Sequence, residues 1–374
     1  MYQKFLKYFF LQNLKYFGYF FLYFFIIFAT LETSLRLYFK KPIFKLVDYR
    51  INDFIVVEGM AILFDDDIGW LHKPYYSDPS MNFLEYGIRS NGDNNRKLNK
   101  GNILVSGSSF TAGSGLYDNE TWPAYLEKKI NTPVYNAAVG AYGVDQIIMR
   151  AKMLIDVLEP KHVIIDMQNG TLQWSAYSSL GYPKPYFRLQ KNELVRYNFP
   201  VPKATRKGYL KETFSYDGFL GKLYEKYLGY SFFAHKVMMT FFYDKWLYDN
   251  WNVNVLEKDI DIVQLNCALI SNFHDFLNKK NILLTVVSIP SGQEFEREEK
   301  GHYLRSVEEC LNEKNINNID FFDDLIKDVK LGKIAPNLIW KDWGNPPRAI
   351  GHPEPTGNKY FSEKIANHLI KRTK

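Results

Sequence analysis

The hydrophobic positions of the chain form one long apolar stretch, followed by many short ones. Residues 17–31 carry no charge, and residues 20–28 are continuously apolar. With its neighbours this stretch reaches about 20 residues, which is the length a helix needs to cross a bilayer. The pattern predicts an N-terminal membrane anchor over residues 1–40. A cleaved signal peptide or a buried core helix would also be apolar, but the long leading region and the lack of a small-x-small site after Ala29 favour the anchor.

Basic residues flank the apolar stretch on both sides, so the positive-inside rule gives no orientation. They are Lys4, Lys7 and Lys15 before it, and Arg36, Lys40, Lys41 and Lys45 after it. Glu32 precedes Arg36 by four residues, a spacing that allows the two side chains to pair on a helix. We expect this pair to offset charge where the helix leaves the membrane.

Short apolar, β-branched segments then alternate with segments of helical period. The predicted strands are 103–106, 133–136, 162–166, 282–288 and 319–322, and the predicted helices are 120–130, 144–158, 260–278, 307–313 and 357–372. Buried parallel strands have this composition. The alternation predicts a three-layer α/β/α sandwich with a parallel sheet, flavodoxin-like in class, over residues 101–374. Residues 41–100 are expected to form an irregular lead-in, with the turn-rich segment 85–92 on the surface.

The stretch from about residue 170 to 255 breaks the alternation and is rich in aromatic residues. We interpret it as an insertion, which forms either a cap over the active edge of the sheet or a packing extension without a substrate role. Its aromatic residues include Tyr177, Tyr182, Tyr186, Phe187, Tyr197, Phe199, Tyr209, Phe232, Phe233 and Trp246.

Composition excludes several classes of function. The chain has 374 residues and a formal charge of +6, without a dense Lys/Arg tract, so a nucleic-acid partner is not expected. The two cysteines, Cys267 and Cys310, are too few for a disulfide framework and neither require nor forbid an oxidising compartment. Neither cysteine has a ligand partner at metal-binding spacing, and no cofactor is indicated. The sequence does not indicate an oligomeric state.

Two residues at element boundaries are candidates for chemistry. Ser109 follows the first predicted strand of the sheet in a Gly/Ser turn, and the carboxyl edge of a parallel sheet is where α/β folds place their reactive groups. His352 precedes the last predicted helix. A serine early and a histidine late in the chain are typical of a nucleophile and its base.

In these and other segments the chain resembles the SGNH/GDSL hydrolase family, in particular its membrane-anchored bacterial members, over roughly residues 85–374. The first family block, Gly-Asp-Ser, corresponds to Gly107-Ser108-Ser109, with Ser108 replacing the aspartate. The second, Asn-x-Gly-x-x-Gly, corresponds to residues 136–143, where Ala141 replaces a glycine. The third corresponds in altered form to residues 163–171. In the fifth, Asp-x-x-His, His352 matches but Ala349 replaces the aspartate.

The resemblance implies a role for each matching residue. Ser109 would be the nucleophile and His352 the base. The oxyanion would be bound by the backbone N–H groups of Ser109 and of Gly140 or Ala141, and by the side chain of Asn169. Alanine at position 141 is expected to be tolerated if only its amide is used and its φ stays negative.

Asp342, ten residues before His352, is the candidate for the missing third member, and a backbone carbonyl is the alternative. Asp145 and Asp166 are interpreted as structural. The resemblance also implies an N-terminus inside the cell and the large domain outside the cytoplasmic membrane.

Three functions remain open on the sequence. The first is a membrane-anchored serine esterase that hydrolyses O-acyl, for example acetyl, esters on a cell-surface glycan or lipid. The second is an acyltransferase that uses the same site to modify surface polysaccharide. The third is an inactive membrane-tethered binding module, which the substitutions at positions 108, 141 and 349 favour. We favour an enzyme, because the nucleophile and the base are kept while their helpers vary.

Overall fold

The computed structural model describes residues 2–39, 41–44, 61–202, 230–241, 255–335, 339–340 and 351–372. The chain divides into two compact units, one of residues 1–54 with 205–253 and one of residues 55–204 with 254–374. In this division residues 55–100 group with the α/β unit.

The helices and strands are numbered here in chain order. The helices are α1 (Tyr2–Tyr38), α2 (Ser109–Ala112), α3 (Trp122–Ile130), α4 (Val144–Leu158), α5 (Asn169–Trp174), α6 (Phe232–Phe241), α7 (Ile262–Asn278), α8 (Gly292–Arg297), α9 (His302–Glu313), α10 (Phe322–Lys330) and α11 (Pro355–Arg372). The strands are β1 (Ile62–Asp65), β2 (Gly69–His72), β3 (Ile103–Ser106), β4 (Val134–Asn136), β5 (His162–Met167), β6 (Tyr177–Ser179), β7 (Tyr186–Gln190), β8 (Glu193–Tyr197), β9 (Val255–Leu256), β10 (Leu283–Ser288) and β11 (Asn318–Asp320).

The smaller unit contains α1 and α6. Within α1, the segment Lys15–Tyr38 has a mean hydropathy of 1.6, and among the described helices it alone is long and apolar enough to cross a membrane. Most of its large side chains between Tyr16 and Ile27 are exposed, as expected for residues that face lipid. By length and composition it fits a single membrane span or a signal sequence. The expected pair is present, with Arg36 Nε 2.5 Å from Glu32 Oε1.

The larger unit is built on a five-stranded parallel sheet in the order β11-β10-β5-β3-β4. Along β5, Val163 and Ile165 pack into one apolar cluster with α4, α7 and α9, while Ile164 packs into another with α3 and α11. This alternation is the period of two that a strand imposes. Helices therefore cover both faces, and the predicted three-layer α/β/α sandwich with a parallel sheet is confirmed.

Several predicted element ends differ from the observed ones, and in two cases a side-chain hydrogen bond sets the end. The last strand was predicted over residues 319–322 but ends at Asp320, whose carboxylate accepts the backbone N–H of Phe322 at 2.8 Å and starts α10. The helix predicted over residues 307–313 begins at His302. There Asn169 Oδ1 accepts the N–H of Tyr303 at 3.1 Å and satisfies a donor of the first turn.

The segment 85–92 was expected on the surface, and this is wrong. Ile88, Arg89 and Ser90 are at most 2% exposed. The backbone N–H of Arg89 donates to the carbonyl of Asn136 at 2.8 Å, so the segment lies against the end of edge strand β4. Its turn residues bend the chain inward toward the sheet, and an unpaired sheet edge offers the hydrogen bonds that hold it there.

Two cross-links stabilise the α/β unit. Cys267 on α7 and Cys310 on α9 form a disulfide with a Cα–Cα distance of 6.2 Å, which the cysteine count alone did not indicate. Asp145 at the start of α4 accepts a hydrogen bond from Lys184 Nζ at 2.5 Å, and both side chains are completely buried. The interpretation of Asp145 as structural agrees with this ion pair.

The aromatic insertion does not act as one element. Tyr186 and Tyr197 stack with their ring centroids 5.2 Å apart across the β7–β8 hairpin of the α/β unit. Phe232 and Phe233 belong to the smaller unit, where they contact Phe39 and Phe28 of α1. These two residues therefore fit the packing extension and not the cap. Tyr209 and Trp246 lie outside the described residues.

Candidate active site

Ser109 lies at the carboxyl end of β3, as the first residue of α2. Ser108 precedes it, and its hydroxyl accepts the backbone N–H of Phe110 at the start of the helix. Only glycine fits at position 107, because a Cβ there would lie 2.5 Å from Asp166 Oδ2 and 2.7 Å from Thr111 Cβ. The tight Gly-Ser-Ser turn thus results from packing against the neighbouring strand β5.

The structure brings Ser109 and His352 together, although 243 residues separate them in the sequence. His352 Nε2 lies 2.8 Å from Ser109 Oγ, within hydrogen-bonding distance. The ring of Phe110 approaches the imidazole edge-on with a centroid distance of 5.4 Å. A neutral imidazole at this distance can accept the serine proton as a general base.

Asn358 holds the segment that carries His352. Its Nδ2 donates to the carbonyls of Pro353 and Glu354 at 3.0 and 3.1 Å, and its Oδ1 accepts the backbone N–H of Trp122 at 2.9 Å. Asn358 is completely buried. It therefore ties the beginning of α11 to the beginning of α3. Sequence reasoning did not single it out, and the available signal was a polar residue on the buried side of the last predicted helix.

A buried polar network lies behind the nucleophile and centres on Asp166 of β5. The carboxylate accepts from the backbone N–H of Ser108 at 3.0 Å, from Ser108 Oγ at 3.1 Å, and from Thr111 Oγ1. Gln168 Nε2 donates to Ser108 Oγ at 2.8 Å, and Trp122 Nε1 donates to Thr111 Oγ1 at 3.1 Å. Each hydroxyl thus accepts hydrogen bonds from neighbouring N–H groups and donates its own to Asp166, which is the pattern an ionised acceptor requires.

Burial opposes that ionisation. It raises the pKa of Asp166 from 3.8 to about 6, while the hydrogen bonds from Thr111 and Ser108 act in the opposite direction. The carboxylate that the family motif has at position 108 is here supplied by the adjacent strand. Asp166 contacts the residues on either side of Ser109 and is interpreted as holding the nucleophile turn in place.

The turn after β4, which contains two oxyanion candidates, lies next to Ser109. A Cβ on Gly140 would stand 3.9 Å from Ser109 Cβ, and the carbonyl of Gly140 accepts the indole N–H of Trp70 at 3.1 Å. Ala141 has a φ of +61°, so the expectation of a negative φ is wrong. The turn needs a left-handed residue where the family has glycine, and alanine adopts this conformation at a cost of about 1–2 kcal/mol.

Asn169 is placed at the start of α5, directly after β5. Its side-chain oxygen accepts the N–H of Tyr303 at 3.1 Å, which orients the amide and leaves Nδ2 as its donor group.

Arg89 holds the segment that follows the nucleophile helix. Its guanidinium donates to the carbonyl oxygens of Ala112, Gly113 and Leu116, at 2.8 Å for Gly113 and 2.6 Å for Leu116. Its Nε lies 2.7 Å from Asp118 Oδ1. The side chain is almost completely buried, and the five N–H donors of its guanidinium are held in a fixed geometry. Sequence reasoning missed Arg89 because it placed residues 85–92 on the surface.

The candidate third member of the site and possible metal ligands remain to be placed. Asp342, the candidate third member, lies outside the described residues, as does Ala349. Within the described part of the chain, no group of three or more His, Cys, Asp or Glu side chains is arranged to hold a metal ion.

The chain was compared with known proteins. No family model matches it, and no curated protein matches it. Similar solved structures include a G-D-S-L family lipolytic protein from Desulfitobacterium hafniense (14% identity, 71% of this chain and 98% of that chain covered, TM-score 0.34). They also include a psychrotrophic esterase from Pseudoalteromonas sp. (12%, 72% and 97%, TM-score 0.36) and an acetylxylan esterase from Geobacillus stearothermophilus (11%, 73% and 96%, TM-score 0.38).

The first of these structures is named for the family that the sequence motifs resemble, and the other two are named as esterases.

Proposed function

We propose that the chain is a membrane-anchored serine ester hydrolase of the SGNH type, with Ser109 as nucleophile and His352 as general base. The observation that carries this proposal is the 2.8 Å distance between His352 Nε2 and Ser109 Oγ at the carboxyl end of β3. The substrate is an O-acyl ester, such as an acetyl ester, on a glycan or lipid.

In the first step, Ser109 Oγ attacks the acyl carbonyl carbon while its proton moves to His352 Nε2. The carbonyl oxygen becomes an oxyanion. The backbone N–H groups of Ser109 and of Gly140 or Ala141, with Nδ2 of Asn169, are its donors. The proximity of the Gly140 turn to Ser109 supports this assignment.

The protonated His352 then donates its proton to the leaving alkoxide, which departs and leaves an acyl group on Ser109. Water attacks the acyl-enzyme while His352 accepts a proton again, and Ser109 leaves with that proton when the acid is released. Asp342 or a backbone carbonyl orients the imidazole in this proposal.

The α/β unit is proposed to lie outside the cytoplasmic membrane, anchored by α1 with its N-terminus inside. The disulfide between Cys267 and Cys310 supports this side, because disulfides persist in oxidising compartments and are rare in the cytosol. An enzyme held there would act on acylated glycans or lipids of the cell envelope.

The other two candidate functions differ in what happens after serine attack. In an acyltransferase, a glycan hydroxyl replaces water as the acceptor. An inactive binding module would use neither step, and the substitutions at positions 108 and 141 favour it. The hydrogen-bonded Ser–His pair favours an enzyme over the binding module.

The test uses the full chain in detergent micelles with a short-chain nitrophenyl ester. We expect turnover to be lost in Ser109→Ala and in His352→Ala. It should be retained in the matched controls Ser178→Ala and His274→Ala, whose side chains lie on β6 and on α7. A fluorophosphonate should label Ser109 in the unaltered chain. Labelling without turnover would favour the transferase, and neither labelling nor turnover would favour the binding module.

A further inference from the structure

A carboxylate inside the apolar helix α1 caps a second helix of the same unit. Glu32 Oε1 accepts the backbone N–H of Phe232, and Glu32 Oε2 accepts the N–H of Phe233 and the hydroxyl of Ser231, each at 2.8 Å. The two N–H groups are the first backbone donors of α6, which an N-terminal cap normally satisfies. Ser231 caps the helix locally, since its Oγ accepts the N–H of Ala234 at 3.0 Å. The first two donors are therefore satisfied from α1, about 200 residues away in the sequence.

Arg36 completes the contact. Its Nε lies 2.5 Å from Glu32 Oε1, Nη2 donates to the carbonyl of Tyr230 at 2.6 Å, and Nη1 donates to that of Pro42 at 3.0 Å. The residue is only 7% exposed. Both charges of the pair are thus neutralised by the chain itself, which is how an ionisable pair is tolerated near a bilayer.

Ring contacts extend this contact along both helices. Phe233 packs edge-on against Phe28 at a centroid distance of 5.7 Å, and Phe232 against Phe39 at 5.4 Å. The ammonium of Lys236 lies 4.1 Å from the centroid of the Phe39 ring. These contacts place α6 beside the last three turns of α1, from Phe28 near the end of the uncharged residues 17–31 to the end of the helix.

The composition of α6 suits a membrane surface. The sequence Phe-Phe-Ala-His-Lys-Val-Met-Met-Thr-Phe has one lysine and no acidic residue, and Phe241 at its end is 72% exposed. Ten residues extend about 15 Å, half of the hydrocarbon thickness, so α6 is too short to span the bilayer. The helix is thus largely apolar, with a single basic side chain, Lys236, near its middle.

We propose that α6 is a second membrane-binding element, which lies in the lipid interface where α1 leaves the bilayer. Glu32 is six residues, about 9 Å along the axis, from the end of α1, and it directly follows the uncharged residues 17–31, so it lies where the apolar part of the span ends. Lys236 would meet anionic headgroups, and Phe241 would enter the boundary between headgroups and acyl chains. This inference rests on α1 spanning the membrane, as in the proposed function.

The test is a depth measurement on the full chain in vesicles of equal parts phosphatidylcholine and phosphatidylglycerol. Because Cys267 and Cys310 are joined, a nitroxide on an introduced cysteine has a single site. The label in Phe241→Cys is compared with labels in Phe20→Cys of α1 and Leu331→Cys of the α/β unit, both exposed positions. Collision with oxygen, relative to a water-soluble nickel chelate, rises with depth in the bilayer.

We expect the label at position 241 to give a ratio clearly above that at 331 and below or equal to that at 20. Equal ratios at 241 and 331, with a high ratio at 20, would overturn the inference while leaving the anchor intact. A water-like ratio at 20 as well would reject both the anchor and the inference. Glu32→Ala should shift the ratio of the label at position 241 toward the aqueous value. The exposed control Glu193→Ala should leave this ratio unchanged. An unchanged ratio in Glu32→Ala would refute the idea that the Glu32 cap holds α6 in the lipid interface.

Discussion

Replacing Asp166 by asparagine tests why a carboxylate is buried behind the nucleophile. Asparagine has the same shape and keeps one acceptor oxygen. Placed where Oδ2 is, this oxygen can still accept from Ser108 and Thr111. What is removed is the charge. The variant therefore separates the cost of burying that charge from the geometry of the turn.

The size of the effect follows from the pKa. Burial raises the pKa of Asp166 from 3.8 to about 6. The folded state therefore binds the proton more tightly than the unfolded chain does. The contribution of Asp166 to the free energy of unfolding is fully present below pH 4 and is lost as the pH rises through 6. The difference between the two pKa values of Asp166 corresponds to about 3 kcal/mol of unfolding free energy. The stability of Asp166→Asn relative to the unaltered chain should improve by about this amount between pH 4 and pH 7.

The assay is thermal unfolding of the full chain in micelles at several pH values, combined with ester turnover at pH 7. We expect Asp166→Asn to lose turnover by about tenfold with little change in KM, because the charge-assisted bonds that hold Ser108 are weakened. Asp156→Asn, at an exposed carboxylate, should follow the unaltered chain in both measurements. A stability difference that does not vary with pH, or that grows in favour of aspartate as pH rises, would refute the reasoning.

Three other changes test the packing around the site. Lys184→Met should destabilise the fold by about 3–5 kcal/mol, because the carboxylate of Asp145 would be left buried without its ion-pair partner. Thermal unfolding should show that adding Asp145→Leu recovers part of this loss. Cys267→Ser with Cys310→Ser should cost up to about 4 kcal/mol in denaturant unfolding, since the bond closes a loop of 43 residues. Ala141→Gly should raise stability by up to about 1 kcal/mol without reducing turnover, because glycine adopts a positive φ without strain.

Each of these expectations has an outcome that contradicts it. A double variant no more stable than Lys184→Met would show that the unpaired carboxylate is not the cause. Equal unfolding of the two serine replacements and the unaltered chain would mean that the disulfide does not constrain the chain. A loss of turnover in Ala141→Gly would show that the alanine side chain itself supports the site.

The sequence by itself determined the elements whose patterns are local. The strand at residues 103–106 and the helix at 144–158 have the predicted bounds, because an apolar run or a helical stripe depends on neighbouring residues. The uncharged stretch before residue 31 likewise reveals the candidate membrane span. The alternation of these elements was sufficient for the three-layer sandwich with a parallel sheet. Ser109 and His352 were predicted as a pair because each lies at an element boundary, and the structure brings them within 2.8 Å.

Only the tertiary structure decided which polar residues surround that pair. Arg89, Asn358 and Asp166 each bind at least one partner that lies 23 to 236 residues away in the sequence, so no local pattern reveals them. The same holds for the contact of α6 with α1. A buried polar group is stabilised only where its donors and acceptors meet, and packing alone determines where that is.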